Sequence, residues 1–149
     1  MRAVVQRVSR AKVSVDGELV GSIEAGLCVL VGVGRNDDAS HALALAEKVV
    51  GLRIFEDADG KMNLGLLENG GALLAVSQFT LMGDARRGRR PSFSFAMSPD
   101  AAEPLFERFC DACRKLGVRV ETGRFRTDMK VELVNDGPVT LLVDSERAF

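Results

Sequence analysis

The chain has 149 residues, 46% apolar and 28% charged, a balance that fits one globular domain with a buried core and excludes a disordered chain. A net charge of −1 excludes a global field drawing it to nucleic acid or membrane, so any anionic partner must be met locally. The longest apolar run, LCVLVGV, falls far short of the roughly 20 residues a bilayer span needs, which excludes a transmembrane helix and a membrane partner.

The opening segment MRAVVQRVSRAKVSV alternates apolar and charged positions, unlike the continuous apolar core of a signal peptide. Cys28, Cys110 and Cys113 form no disulfide framework, so the thiols are expected reduced and the protein cytoplasmic. Residues 2–8 and 11–15 read as strands, and Asp16-Gly17 is a hairpin signal leading into a second arm over 18–24. Residues 27–33 read as a buried strand. A helix is predicted over 39–53, with Ser40 as its N-cap. EDADGK is a turn, residues 71–81 are a second buried strand, and a long loop runs through MGDARRGRRPSFSF. Ser98 and Pro99 open a second helix that runs to Lys115 and stops at Gly117. Residues 118–121, 129–134 and 139–143 close the chain as strands. No repeat or linker divides it. The prediction is a single α+β domain over 1–149, with mostly antiparallel strands and two helices packed on the sheet.

Several motifs fail on inspection. VGVGRND offers Gly32 and Gly34, but the third glycine of a dinucleotide fingerprint would fall on Asp37. DADGKMNLGLLE puts Met62 where a calcium loop requires glycine. Cys110 and Cys113 share an apolar helical stripe with Phe106 and Phe109, so core packing is the better reading than zinc or redox chemistry. No metal or organic cofactor is implied. The sole histidine, His41, falls in the first turn of a helix, most simply as a solvated residue. Hydrolysis by this chain would therefore lack the histidine base of serine and cysteine hydrolases.

Three stretches remain. Ser77, Gln78, Phe79 and Thr80 end a buried strand, where free backbone N–H groups can stabilise an oxyanion. The plainer alternative is a polar strand end with Phe79 in the core. Arg86, Arg87, Arg89 and Arg90 crowd around Gly88 and repel one another unless an anion shares them. A phosphate backbone suits their geometry, with Phe93 and Phe95 nearby for stacking, and a freely solvated loop is the alternative. Gly137-Pro138 is either a trans turn entering an edge strand or a cis peptide, a form taken by roughly 5–6% of X-Pro bonds.

SQFTL (77–81) and NDGPVT (135–140) together resemble the signature pair of the D-aminoacyl-tRNA deacylases, formerly D-tyrosyl-tRNA deacylases. MRAVVQRV, RIFEDADGKMN, RRPSFS and TGRFRTDM resemble the same family in the same order, so the likeness covers essentially the whole chain. Only residues 144–149 extend past the family's usual end, and the arginine loop is richer than its generic counterpart.

The resemblance implies a barrel-like deacylase fold and hydrolysis of the ester joining a D-amino acid, or mischarged glycine, to the terminal adenosine of tRNA. It further implies a homodimer in which each subunit inserts a cis Gly137-Pro138 step into its partner's active site. The carbonyls of Gly137 and Pro138 would hold the substrate's ammonium, and an L side chain would clash with that backbone. Backbone groups around Ser77, Gln78, Phe79 and Thr80 would orient the ester, with the ribose 2′-hydroxyl assisting in place of a protein base. Asn135 belongs to the same motif, Arg7 would brace it, and Met129 would line the adenosine pocket. The rival reading from another class is a non-catalytic RNA-binding module using only the Arg86–Arg90 loop.

Overall fold

A computed structural model covers residues 1–149. The alternating N-terminal pattern forms one long strand, β1 (Arg2–Val15), rather than the two runs its sequence suggests. Ser9 and Arg10 are exposed where the strand changes partners. Residues 2–8 pair with β3 (Gly26–Gly32), and residues 11–15 pair with β2 (Glu18–Ile23). Asp16 and Gly17, at φ 49° and 78°, make the hairpin turn, and two left-handed residues match the twist of the flanking strands.

The closing segment is also one strand, β8 (Lys130–Asp144), antiparallel to β1 from Ser14↔Lys130 to Arg2↔Asp144. Its register shifts twice, between Gln6 and Val8 and between Val8 and Arg10, and the first shift is the larger. Val8 pairs with Asn135 and Gln6 with Thr140, so residues 136–139 bulge out opposite Arg7.

β6 (Ala72–Ser77) runs parallel to β3, and β7 (Val120–Thr122) runs parallel to β6, giving the order β2-β1-β3-β6-β7 with β8 on β1. The two ends of that order approach each other: a Cβ on Gly21 of β2 would lie 2.3 Å from the Thr122 carbonyl of β7. The sheet is thus nearly closed into a barrel, and the other pairings are antiparallel. β4 (Phe55–Glu56) and β5 (Met62–Leu64) form a separate small hairpin. In the turn between them the Asp57 carboxylate accepts N–H bonds from Asp59 and Lys61, which explains the acidic DADGK run without a cation.

Two helices lie where the sequence puts them. Helix α1 (Ala39–Val50) starts at the expected residue and ends short of 53, but Asp38, two residues before Ser40, is its N-cap, accepting from the N–H groups of Ser40 and His41. His41 Nδ1 accepts in return from the Asp38 N–H at 3.1 Å, so the histidine completes a capping box instead of standing free in solvent. A third helix, the single turn α2 (Leu66–Asn69), is too short to show periodicity and adds to the two predicted. Helix α3 (Pro99–Lys115) begins on Pro99 and is followed by Gly117 at φ 102°. No helix is long and apolar enough to cross a membrane.

Alternation along β3 separates two cores. Leu27, Val29 and Val31 face α1 and α3, joining Leu45, Val49, Phe106 and Phe109 in a cluster of 25 buried residues. Cys28 faces the barrel interior with Val8, Val13, Leu74 and Val76 in a cluster of 8. Burial pushes the thiol of Cys28 up to about 11 and those of Cys110 and Cys113 up to about 12, so all three act as apolar packing groups at neutral pH. Phe109, with no exposed surface, fills the space between α3 and the sheet. Its replacement by alanine is expected to lower the unfolding free energy by about 3–5 kcal/mol in urea titration. A loss of under about 1 kcal/mol would contradict the packing described.

Candidate active site

Strand β6 ends at Ser77, and the Gln78 N–H continues its ladder by donating to the Val31 carbonyl at 2.8 Å. The chain then turns into a short 3₁₀ helix, Phe79–Met82, where the sequence suggested that the strand continued to Leu81. Leu81 and Gly83 donate back to the carbonyls of Gln78 and Thr80. The N–H groups of Phe79 and Thr80 stand at the open start of this turn, where a helix leaves its first donors without a partner inside itself. The Thr80 hydroxyl accepts from the Gln78 side-chain amide. Phe79 is 59% exposed, which overturns the plainer reading that it packs in the core.

These residues sit on one wall of a cleft of about 560 Å³. Ser77, Gln78 and Phe79 line it from the sheet side, with Phe125 and Met129 from the segment after β7 and Met97 from the loop before α3. Two backbone bonds pull that loop across the end of β3, Met97 N–H to Val33 O at 3.0 Å and Arg35 N–H to Phe95 O at 2.8 Å. The Phe93 ring meets Phe79 edge-on, centroids 5.2 Å apart at 64°, leaving aromatic surface at the mouth. The lining is mostly apolar, suited to a flat heterocycle with polar edges.

The bulge at residues 136–139 is held from behind. Arg7 is the one buried polar residue of the protein, and its guanidinium donates to the Ile54 carbonyl at 2.7 Å and to the Asp136 carbonyl at 3.0 Å. Asn135 donates from its amide to the carbonyls of Arg7 and Val139 at 3.0 and 2.9 Å, and its oxygen accepts from Thr140. Gly137 and Pro138 are exposed at the tip, and the bond between them is cis. Gly137 has φ 129°, and an added Cβ would lie 2.8 Å from Val139 Cγ2 and 3.0 Å from Arg7 Nη2. Both its conformation and its surroundings therefore call for glycine.

The sequence-predicted residues thus fall into separate places on one chain. Ser77, Gln78, Phe79 and Met129 share the cleft, with Thr80 beside it. Arg7, Asn135, Gly137 and Pro138 form the braced bulge, and none of them lines that cleft. The arginine loop is a third site, tied at its base by reciprocal bonds between Asp84 and Ser92 at 2.7 and 2.9 Å. Arg86 grips the Asp84 carboxylate with two bonds, at 2.9 and 2.7 Å, and these hold that carboxyl down to about 2. Of the four expected cations, only Arg87, Arg89 and Arg90 are exposed without an ion-pair partner. His41 is committed to its capping box and lies outside the cleft lining. Nowhere do three or more His, Cys, Asp or Glu side chains gather as they would to hold a metal ion.

Phe125 and Arg126 are among the cleft residues that sequence reasoning left without a role. Both lie in TGRFRTDM, where no period or composition marks them. Arg126 adopts φ 61°, a sign no sequence pattern discloses for an arginine.

Comparison with known proteins covers the same residues. The family model described as D-Tyr-tRNA(Tyr) deacylase matches residues 4–144. The D-aminoacyl-tRNA deacylase of Symbiobacterium thermophilum is 64% identical over 149 residues, spanning 100% of this chain and 99% of the relative. That of Anaeromyxobacter dehalogenans is 63% identical, spanning 100% of both. Among solved structures, the c-Myc DNA Unwinding Element Binding Protein superposes with a TM-score of 0.91 at 38% identity, covering 97% of this chain and 98% of its own. A probable eukaryotic D-amino acid tRNA deacylase superposes at 0.79 with 19% identity, covering 96% and 98%, a likeness that speaks to fold alone. A family model over nearly the whole chain, and relatives this similar end to end, make the chain a member of the D-aminoacyl-tRNA deacylase family of hydrolases.

Proposed function

We propose that the protein hydrolyses D-aminoacyl-tRNA in the cytoplasm, and that two copies of the chain build each active site. One observation carries this reading: the bulge bearing Gly137 and Pro138 is rigidly braced by Arg7 and Asn135, yet it is exposed and absent from its own cleft. A framework this specific around two exposed carbonyls suits a partner's cleft better than bulk solvent.

In this reading the terminal adenosine lies against Phe125 and Met129, with the ester beside Phe79 and Thr80. The partner's Gly137 and Pro138 carbonyls accept from the substrate's α-ammonium and so fix the face of the α-carbon. A D side chain points out of the cleft, an L side chain runs into the partner's backbone, and glycine passes because it has none. Water attacks the ester carbon, and the oxyanion forms within reach of the Phe79 and Thr80 N–H groups that open the 3₁₀ helix. The ribose 2′-hydroxyl assists by relaying a proton. Collapse breaks the acyl–oxygen bond, leaving a free D-amino acid and a tRNA ending in a 3′-hydroxyl. An aminoacyl ester is already activated, so holding it in place supplies much of the rate. Arg87, Arg89 and Arg90 meet the tRNA backbone beyond Phe93.

Incubation with D- and L-tyrosyl-tRNA tests the activity: selective release of D-tyrosine is expected, and binding without release would favour an RNA-binding module. Thr80→Ala is expected to stay within about tenfold of wild-type turnover, because loss of a true nucleophile costs on the order of 10⁶. Abolished turnover in a folded Thr80→Ala protein would make Thr80 the nucleophile. Gly137→Ala is expected to lower kcat/KM on D-tyrosyl-tRNA by at least about tenfold, or ~1.4 kcal/mol of transition-state stabilisation. Wild-type kinetics in that variant would remove Gly137 from the site.

A further inference from the structure

Arg126 breaks a local rule at the mouth of the cleft. It is one of three non-glycine residues with positive φ, at 61°, a conformation that costs an ordinary side chain energy. The other two, Asp16 and Arg147, lie in a hairpin turn and near the chain end, away from the cleft lining. Arg126 is also the only cation among the sixteen residues that line the cleft, and Asp128 is the only anion. Backbone strain held at the rim of a binding site points from geometry to function.

The side chain has no firm structural employment. Its one ionic partner is Asp100 at 3.2 Å, and the two side chains are 66% and 94% exposed, so water and salt screen the pair. Its neighbours are better occupied: Thr127 donates to the Arg124 carbonyl at 2.7 Å, and Phe125 packs on Phe106. None of Arg86, Arg87, Arg89 and Arg90 lines the cleft, so those cations are poorly placed to reach a group bonded directly to a nucleoside inside it.

We infer that Arg126 binds the 5′-phosphate of the substrate's terminal nucleotide, exchanging its exposed pair with Asp100 for that phosphate. The assignment rests on the deacylase reading and on the nucleoside occupying this cleft. A guanidinium offers two parallel N–H donors that match the two non-bridging oxygens of a phosphodiester, and leaving a screened carboxylate for that bidentate contact is favourable. Asp100 then acts as a competitor that keeps Arg126 poised.

The test compares 3′-O-D-tyrosyl-adenosine with the same ester carrying a 5′-phosphate. The readout is the gain in kcat/KM that the phosphate confers. Wild-type enzyme is expected to show a gain of about tenfold, carried mainly by KM and fading with added salt. Arg126→Gln is expected to reduce the gain to near one, Arg126→Lys to restore part of it, and Asp100→Asn to enlarge it. Arg126→Gly is expected to lose the gain while melting no lower than wild type, because glycine accepts this φ without strain. That pairing separates binding from support of the fold. An equal gain in wild type and Arg126→Gln, or a gain lost only in step with thermal stability, would overturn the assignment while leaving deacylation of D-tyrosyl-tRNA intact. Failure of the wild type to release D-tyrosine from tRNA itself would instead overturn the deacylase reading, and this assignment with it.

Discussion

The guanidinium of Arg7 is the constraint around which the rest is arranged. It is a charge buried in a protein whose other buried residues are apolar or glycine, and it is kept there by two carbonyls, Ile54 O and Asp136 O. A buried cation without such acceptors is strongly disfavoured, so the chain must bring both carbonyls to it. One comes from the segment after α1, the other from the bulge in β8. The same contact therefore docks the helical layer and sets the outward reach of Gly137 and Pro138. Asn135 completes the clamp by satisfying carbonyls on each side of the bulge.

The cleft is built on an opposite principle. Its polar groups are backbone N–H groups left open by a strand that turns abruptly into a 3₁₀ helix after Gln78. Its walls are aromatic and thioether side chains. The only titratable side chains that line it are the exposed Arg126 and Asp128, while His41 is tied to Asp38 and the thiols are buried and held protonated. A site of this kind acts by orientation and by fixed dipoles, and depends on its substrate to bring reactivity.

Much of the scaffold was legible in the sequence. Period-two alternation marked both ends of β1, and Asp16-Gly17 marked its hairpin because only a left-handed pair matches the strand twist. Ser98-Pro99 and Gly117 bracketed α3 for similar backbone reasons. Local hydrogen-bond competition was less visible. Asp38 took the N-cap from Ser40, and Asp84 claimed Arg86, because each choice depends on geometry a few residues away. The site itself was legible only through resemblance. Its two halves, SQFTL and NDGPVT, act mainly through main-chain atoms, and main-chain atoms leave no compositional trace. Exposure of Phe79 and the handedness of Arg126 depend on tertiary context alone.

The central claim is that one chain's bulge completes the other chain's cleft, and subunit complementation tests it most directly. Gly137→Ala chains and Phe79→Ala chains, each poorly active alone, are co-expressed with different tags, and the doubly tagged dimer is isolated. Its cross-subunit sites include one with an unaltered bulge and an unaltered cleft, so D-tyrosyl-tRNA deacylation is expected to recover towards half that of the wild type. Activity no higher than that of the two parents, or the absence of any doubly tagged dimer, would contradict the account.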